Sequence, residues 1–316
     1  MYIPDGALPP GILPDHLPNP DGVPRILSRA EAFELGFSRR AIDHRLAKDI
    51  WHRVLPHTYL TGSTLTWGDR LQAALTYVGP DSLLTGAAAL ADLGLRSVRR
   101  PDRMLLLAPR TNRARPAGWV HIRRTGRMPR PALIPGPRRA DLARAVADLA
   151  LERRRLDDVR ALVAQAVRAQ LCTVSELWAE YEAGPRKFSA NLRQALEDVD
   201  AGAWSAPEAR AGELLRNAKV PPFKPNATVW LPDGSYVIAD FLWPQLRAVL
   251  EIDSVEYHDD PAERDRTDAK HIGLETIGFT VAHRRPALLI REPRRFQREI
   301  EAWLAARAVE LGRAAA

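Results

Sequence analysis

The chain has 316 residues, 46 Lys+Arg against 39 Asp+Glu, a net charge of +7, 46% hydrophobic and 27% charged residues. That composition excludes wholesale disorder, collagen and coiled-coil arrays, and the length suits two or three domains. Its one cysteine, Cys172, excludes a disulfide framework and a finger-type zinc site, and no apolar stretch reaches a membrane span.

The first 24 residues hold seven prolines and no periodic pattern, which predicts an extended tail over 1–24. Its opening, MYIPDGALPPG, lacks the basic-then-apolar pattern of a signal peptide, so a soluble, cytoplasmic protein is expected. Ser28 with Glu31 three residues on forms a capping box for a helix that stops at Gly36. Ser38 caps a second helix, with Ile42 and Leu46 on one face. The stretch IWHRVLPHTYL reads as a short strand pair turning at Pro56-His57. Helix, tight turn, helix and β-ribbon is the order of a winged helix-turn-helix, expected over 25–68.

Residues 69–200 form a middle region that turns mostly helical. Helices are predicted at 69–79 and 85–95, strands at 104–109 and 119–125, then helix over 141–171 and 173–199, with Thr173 and Ser189 as N-caps. The break DAGAWSAP near 200–206 opens a last domain, 201–316. Its order is a helix (PEARAGELLRNAK), a hairpin of two strands joined at Asp233-Gly234, a buried strand (RAVLEID), a helix, a strand (FTVAH) and a closing helix. The predicted fold class is thus α+β multidomain: winged helix-turn-helix, mostly helical middle, and a C-terminal α/β sandwich.

Charge is divided along the chain. Residues 1–199 carry 30 basic and 21 acidic side chains, residues 200–316 carry 16 and 18. Within 96–155 there are 17 arginines against four acids. Phosphate tracking is one reading of that stretch; the other is solvated loops in an arginine-rich composition of 41 Arg to 5 Lys. Trp51, Trp67, Trp178, Trp204 and Trp243 read as core or seam anchors rather than base-stacking platforms.

The densest chemistry lies in the last domain. Asp240 ends the second hairpin strand, and Glu251 and Asp253 sit two apart on the next, so period-2 geometry puts both on one face. If those strands are neighbours, three carboxylates converge and form a hard oxygen site for Mg²⁺ or Mn²⁺. Without such an ion, buried acids repel one another. His258, five residues after Asp253, is placed to act as base or donor. The acids Glu256, Asp259, Asp260 and Glu263 read instead as a solvated loop and helix start.

The residues SAPEAR, IADFLWP, LEIDSVEYH and RTDAKHIGLETIGFTVAH resemble the very-short-patch-repair-like branch of the PD-(D/E)XK nuclease superfamily over about 205–305. The resemblance implies a restriction-endonuclease-like fold and a catalytic set of Glu208, Asp240, Glu251 and Asp253, with His258 beside it and metal held by Asp240, Glu251 and Asp253. Asp253 stands where that superfamily usually has a lysine, and His258 or Lys270 is a candidate substitute. The front segment, ILSRAEAFELGFSRRAIDHRLAKDIWHRVLPHTYL, is similar to the winged helix of type IV (AbiEi-like) antitoxin regulators over about 24–125. That similarity implies double-stranded DNA as partner. Arg39, Arg40 and Arg45 lie on the second helix, and His52 and Arg53 in the ribbon.

Two functions follow as expectations. One is a DNA-binding protein with a metal-dependent endonuclease domain. The alternative is a non-enzymatic transcriptional regulator, or a type IV antitoxin-like protein with an unknown protein partner, built on a degenerate nuclease fold.

Overall fold

Short polar residues set the helix starts. Ser28 accepts from the Glu31 N–H while the Glu31 carboxylate accepts from the Ser28 N–H, and Thr66 with Asp69 and Thr173 with Glu176 form the same reciprocal cap. The computed structural model describes residues 23–203, 205–252 and 270–314. It is an α+β protein whose described strands form three small sheets, and the chain divides into two compact units at Leu149/Ala150.

In the first unit, β1 (Ile26–Ser28) runs into α1 (Arg29–Glu34), Gly36 turns the chain with φ +86°, and α2 (Arg39–Ala47) follows under the Ser38 cap. Next, β2 (His52–Leu55) and β3 (Thr58–Leu60) form an antiparallel hairpin, and β1 completes a sheet of order β1-β3-β2. The turn at His57 has φ +55°. Leu27, Ala32, Ile42, Trp51 and Tyr59 make the core beneath these elements. A second sheet, β4-β5-β6, joins β4 (Leu83–Thr85), β5 (Met104–Pro109) and β6 (Val120–Thr125). The helices here are α3 (Trp67–Val78), the short α4 (Gly86–Leu90), and α5 (Leu142–Glu152), which runs across the division between units.

Three expectations for the middle region are corrected. The helix expected over 141–171 is broken into α5 and α6 (Leu156–Arg168), with Arg153–Arg155 between. Ser189 precedes α8 (Ala190–Asp200), but its hydroxyl donates to the Arg186 carbonyl and caps nothing. Thr173 does cap α7 (Val174–Ala183). The segment expected to be helical over 85–95 holds only the five residues of α4: Thr85 ends β4, and the chain turns over 91–94.

The second unit continues with α9 (Ala206–Arg216), then β7 (Lys224–Trp230), β8 (Tyr236–Trp243) and β9 (Ala248–Ile252). After them come α10, helical at 270–276, β10 (Thr280–Arg284), α11 (Pro286–Arg291) and α12 (Pro293–Ala314). The sheet order is β10-β9-β8-β7, with β10 parallel to β9 and the rest antiparallel. Gly234 supplies the φ +82° that the β7–β8 turn needs, and the Asp233 carboxylate accepts from the Ser235 N–H. One sheet face packs Phe241, Trp243, Leu250 and Ile252 against α9, α11 and α12. The other packs Val229, Leu242 and Val249 against Leu274 of α10. Helices therefore cover both faces, and the carboxylate-bearing strand ends lie between those layers. The short α11 was not legible in the sequence, where the closing helix is expected only from Glu292 on.

Candidate functional site

The register of the four-stranded sheet builds the site. Phe241 pairs with Leu250, so one step outward Asp240 faces Glu251; Glu251 pairs in turn with His283 of parallel β10. On the other side Asn226 falls between the paired positions Pro225–Phe241 and Ala227–Ala239, opposite Asp240. One row therefore crosses the sheet as Asn226, Asp240, Glu251 and His283. Two residues of α10 reach it: the Lys270 Nζ lies 2.7 Å from the Glu251 Oε2, and the His271 ring meets the His283 ring edge-on at 5.1 Å.

Asp240 sits where β8 and β9 stop pairing, and its Oδ2 accepts from the Ile252 N–H at 2.7 Å, which satisfies a donor the ladder leaves behind. Glu208 comes from the first turn of α9, capped by the Ser205 hydroxyl. The Asn226 amide donates to the Glu208 Oε2 at 3.0 Å and also to the Gly202 carbonyl. Asn226 has φ +44°, a conformation that asparagine tolerates better than most residues.

Burial, then the charges of Glu251 and Glu208, push the Asp240 carboxyl up to about 8, against a weaker pull from the Ile252 N–H and Lys270. Glu251 is also raised, chiefly by burial, while Lys270 and His283 draw it back. Its Oε1 is buried with no hydrogen-bond partner among the described residues. The structure thus brings together Glu208, Asp240 and Glu251 of the expected set. Asp253 and His258 lie outside the described residues.

The donor set is hard oxygen, and Mg²⁺ sites with one or two protein carboxylates and retained waters are common, so Asp240 and Glu251 suit that ion in kind. Among the described residues no group of three or more His, Cys, Asp or Glu could hold a metal. Sequence reasoning missed Asn226 and His283. His283 closes the run RTDAKHIGLETIGFTVAH, but only the pairing register brings it and Asn226 into one row with the acids.

In the first unit, Arg39, Arg40 and Arg53 are exposed and His52 is half-buried. Arg39 is loosely paired with Asp43 at 3.9 Å, side chain 81% exposed. Arg45 differs: its guanidinium lies over Phe37 at 4.7 Å and over Trp51 at 5.6 Å, inside the aromatic cluster. Many arginines of the 96–155 stretch serve the scaffold. Arg123 and Arg144 bind the buried Asp148 at 2.8 and 3.0 Å, Arg139 donates to the Ala89 carbonyl, and Arg124 holds the Asn112 and Ala114 carbonyls. Arg113, Arg115 and Arg130 are exposed.

No family model matches the chain. Two curated Mycobacterium tuberculosis proteins, uncharacterized protein MT2308 of strain CDC 1551 and uncharacterized protein Rv2248 of strain H37Rv, are each 31% identical to it over 117 residues, 37% of this chain. The chain spans 43% of the length of these relatives. The crystal structure of the RV2827C protein from Mycobacterium tuberculosis is similar at a TM-score of 0.42 and 15% identity, covering 66% of this chain and 85% of that one. No helix among the described residues is long and apolar enough to cross a membrane.

Proposed function

We propose that the chain is a DNA-binding protein whose C-terminal unit is a metal-dependent endonuclease, hydrolysing phosphodiester bonds. The observation that carries this reading is the convergence of Asp240 and Glu251 on adjacent strand ends, with Lys270 on the latter and Glu208 near the former. As pure scaffold, three acids in one partly buried place are unfavourable by several kcal/mol.

Asp240 and Glu251 would hold Mg²⁺ or Mn²⁺. Such an ion, when bound, polarises a phosphoryl oxygen and lowers the pKa of a water beside it. Lys270 stands in for the lysine missing at 253: its ammonium orients Glu251, opposes the upward push of burial on that carboxyl, and leaves N–H donors for water. Asn226 fixes the Glu208 carboxylate, whose charge adds to the pull of the site on a cation. Asp240, held protonated by burial and by the charges of Glu251 and Glu208, would give up its proton as an ion is taken up, so binding and proton release are linked.

The first unit would deliver duplex DNA in the manner of a winged helix, α2 presenting Arg39 and Arg40 to the major groove and β2 presenting His52 and Arg53 to the backbone. Arg45 would stiffen that helix from within the aromatic cluster rather than touch DNA. Truncating both exposed arginines, Arg39→Ala with Arg40→Ala, should lower duplex affinity and flatten the slope of log K against log salt by about 2. Titrations of a labelled duplex across a salt series measure it, and an unchanged slope would remove α2 from the interface.

Incubating supercoiled plasmid with the protein in Mg²⁺ or Mn²⁺ tests the enzyme itself. Nicking is expected for the wild type and neither with EDTA nor for Glu251→Ala. If plasmid is retarded but no metal yields nicks, the second reading takes over: a transcriptional regulator or antitoxin-like protein on a retired nuclease scaffold. The bond from the Ile252 N–H to Asp240 favours that alternative, since a protonated Asp240 is a serviceable ladder cap with no ion present.

A further inference from the structure

We propose that His283 of β10 is a phosphate contact of the C-terminal site, held in place by His271 of α10; the reading rests on the endonuclease assignment for its substrate but not for its chemistry. His283 is the Cα partner of Glu251 in parallel register, so both emerge on the same side of adjoining strands. That side is the one α10 covers, because Val249 and Val281, two residues before each, pack with Leu274. Consecutive residues of α10 then take one strand end each. Lys270 ion-pairs with Glu251, and the His271 ring abuts His283 at 5.1 Å and 75°.

The row is chemically two-sided. Glu208 and Asp240 make one end acidic, suited to a hydrated cation, whereas Lys270, His271 and His283 make the other end rich in N–H donors. A phosphodiester needs both, with its oxygens on donors and its charge beside a cation. Lys270 pairs with Glu251 through one N–H and keeps its others, and Arg284, next along β10, faces Glu299 of α12 at 3.2 Å and donates to the His283 carbonyl. His271 is paired weakly with Glu275, one turn along its own helix, at 3.7 Å. His283 is the imidazole directly beside Glu251, and His271 acts through it as a positioning residue. The influence of the His283 charge on Glu251 agrees with that closeness.

The full chain, labelled at histidine, is titrated with inorganic phosphate in the presence of Mg²⁺, and the imidazole resonances are assigned with His283→Gln and His271→Gln. A saturable shift of the His283 resonances is expected. In the plasmid assay His283→Ala should lower kcat/KM about 100-fold, mainly through kcat. His283→Gln, which keeps an N–H donor, should recover most of the loss, with unfolding midpoints unchanged in both. His283 resonances that do not move with phosphate overturn the contact, whatever the plasmid shows, and so does wild-type cleavage by His283→Ala. A saturable shift in a protein that never nicks DNA keeps the anion contact and removes the nuclease.

Discussion

Asp240→Asn is expected to abolish nicking while making the protein harder to unfold at alkaline pH. The two effects share one cause. Burial and the charges of Glu251 and Glu208 lift the Asp240 carboxyl from 3.8 to about 8, so between those values the folded chain keeps a proton that the unfolded chain has lost. Where the folded state binds more protons, stability falls as pH rises. The wild type should therefore lose stability from about pH 4 to pH 8 through this residue, whereas asparagine, uncharged throughout, should not. Its amide oxygen can still accept from the Ile252 N–H.

One pKa unit is worth about 1.4 kcal/mol. A quarter of the shift would thus raise the melting temperature of a unit this size by roughly 3–6 °C at pH 8.5. Added Mg²⁺ should stabilise the wild type at that pH and leave Asp240→Asn unmoved, because the ion replaces the missing counter-charge. Removing a metal-holding carboxylate should lower cleavage by about 10²–10³-fold, the scale of a lost electrostatic contact to the reacting group. Calorimetry at pH 5 and pH 8.5, with and without Mg²⁺, makes the comparison. A variant less stable than wild type at both pH values would mean that Asp240 is an ordinary satisfied acid, and the strain argued for the site would go with it.

Arg160→Met is expected to destabilise the second unit by about 3–5 kcal/mol, the usual result of stranding a buried charge. Arg160 and Asp198 have side chains only 3% and 2% exposed, joined from Nε to Oδ2 at 2.8 Å. The same guanidinium reaches Asp157 and Glu213, each at 3.2 Å, so α6, α8 and α9 meet on one residue. Burial alone would lower the Arg160 pKa, but the three carboxylates outweigh it and the group stays charged. With methionine in its place, Asp198 keeps Gln194 at 3.4 Å and Arg216 at 3.7 Å, both poorer partners. Urea unfolding of Arg160→Met, Asp198→Leu and the double variant separates the terms. The double variant should recover much of the loss, since two apolar side chains leave no orphaned charge. Equal loss in all three would instead point to packing. Glu208 shares α9 with Glu213, so a drop in activity at temperatures where the variant is still folded would show the network holding the site in register.

Local chemistry was legible in the chain itself. Ser28 with Glu31 is a helix start because both capping bonds close within four residues, and Asp233-Gly234 is a turn because glycine alone reaches that φ without strain. The strands carrying Asp240 and Glu251 could be read from their β-branched and apolar runs, and so could the two acids themselves. Where those acids go depends on neighbours distant in sequence. The pairing of Phe241 with Leu250 sets Asp240 against Glu251, and the pairing of Glu251 with His283 spans 32 residues.

The break at Arg153–Arg155 carries no glycine or proline. It exists because the two helices serve different cores: Asp148 of α5 is held by Thr85 and Arg123, while Arg160 of α6 is held by α8 and α9. The same holds for the arginines of 96–155, whose number is plain in the composition but whose division between scaffold and surface is not. Short-range hydrogen bonds and backbone limits are written into a few consecutive residues, so the sequence determined caps, turns and the kinds of charge present. Burial and partnership are properties of residues brought together over long separations, so only the tertiary structure decided which acids repel, which arginines are spent on them, and which row of side chains is left to meet a substrate.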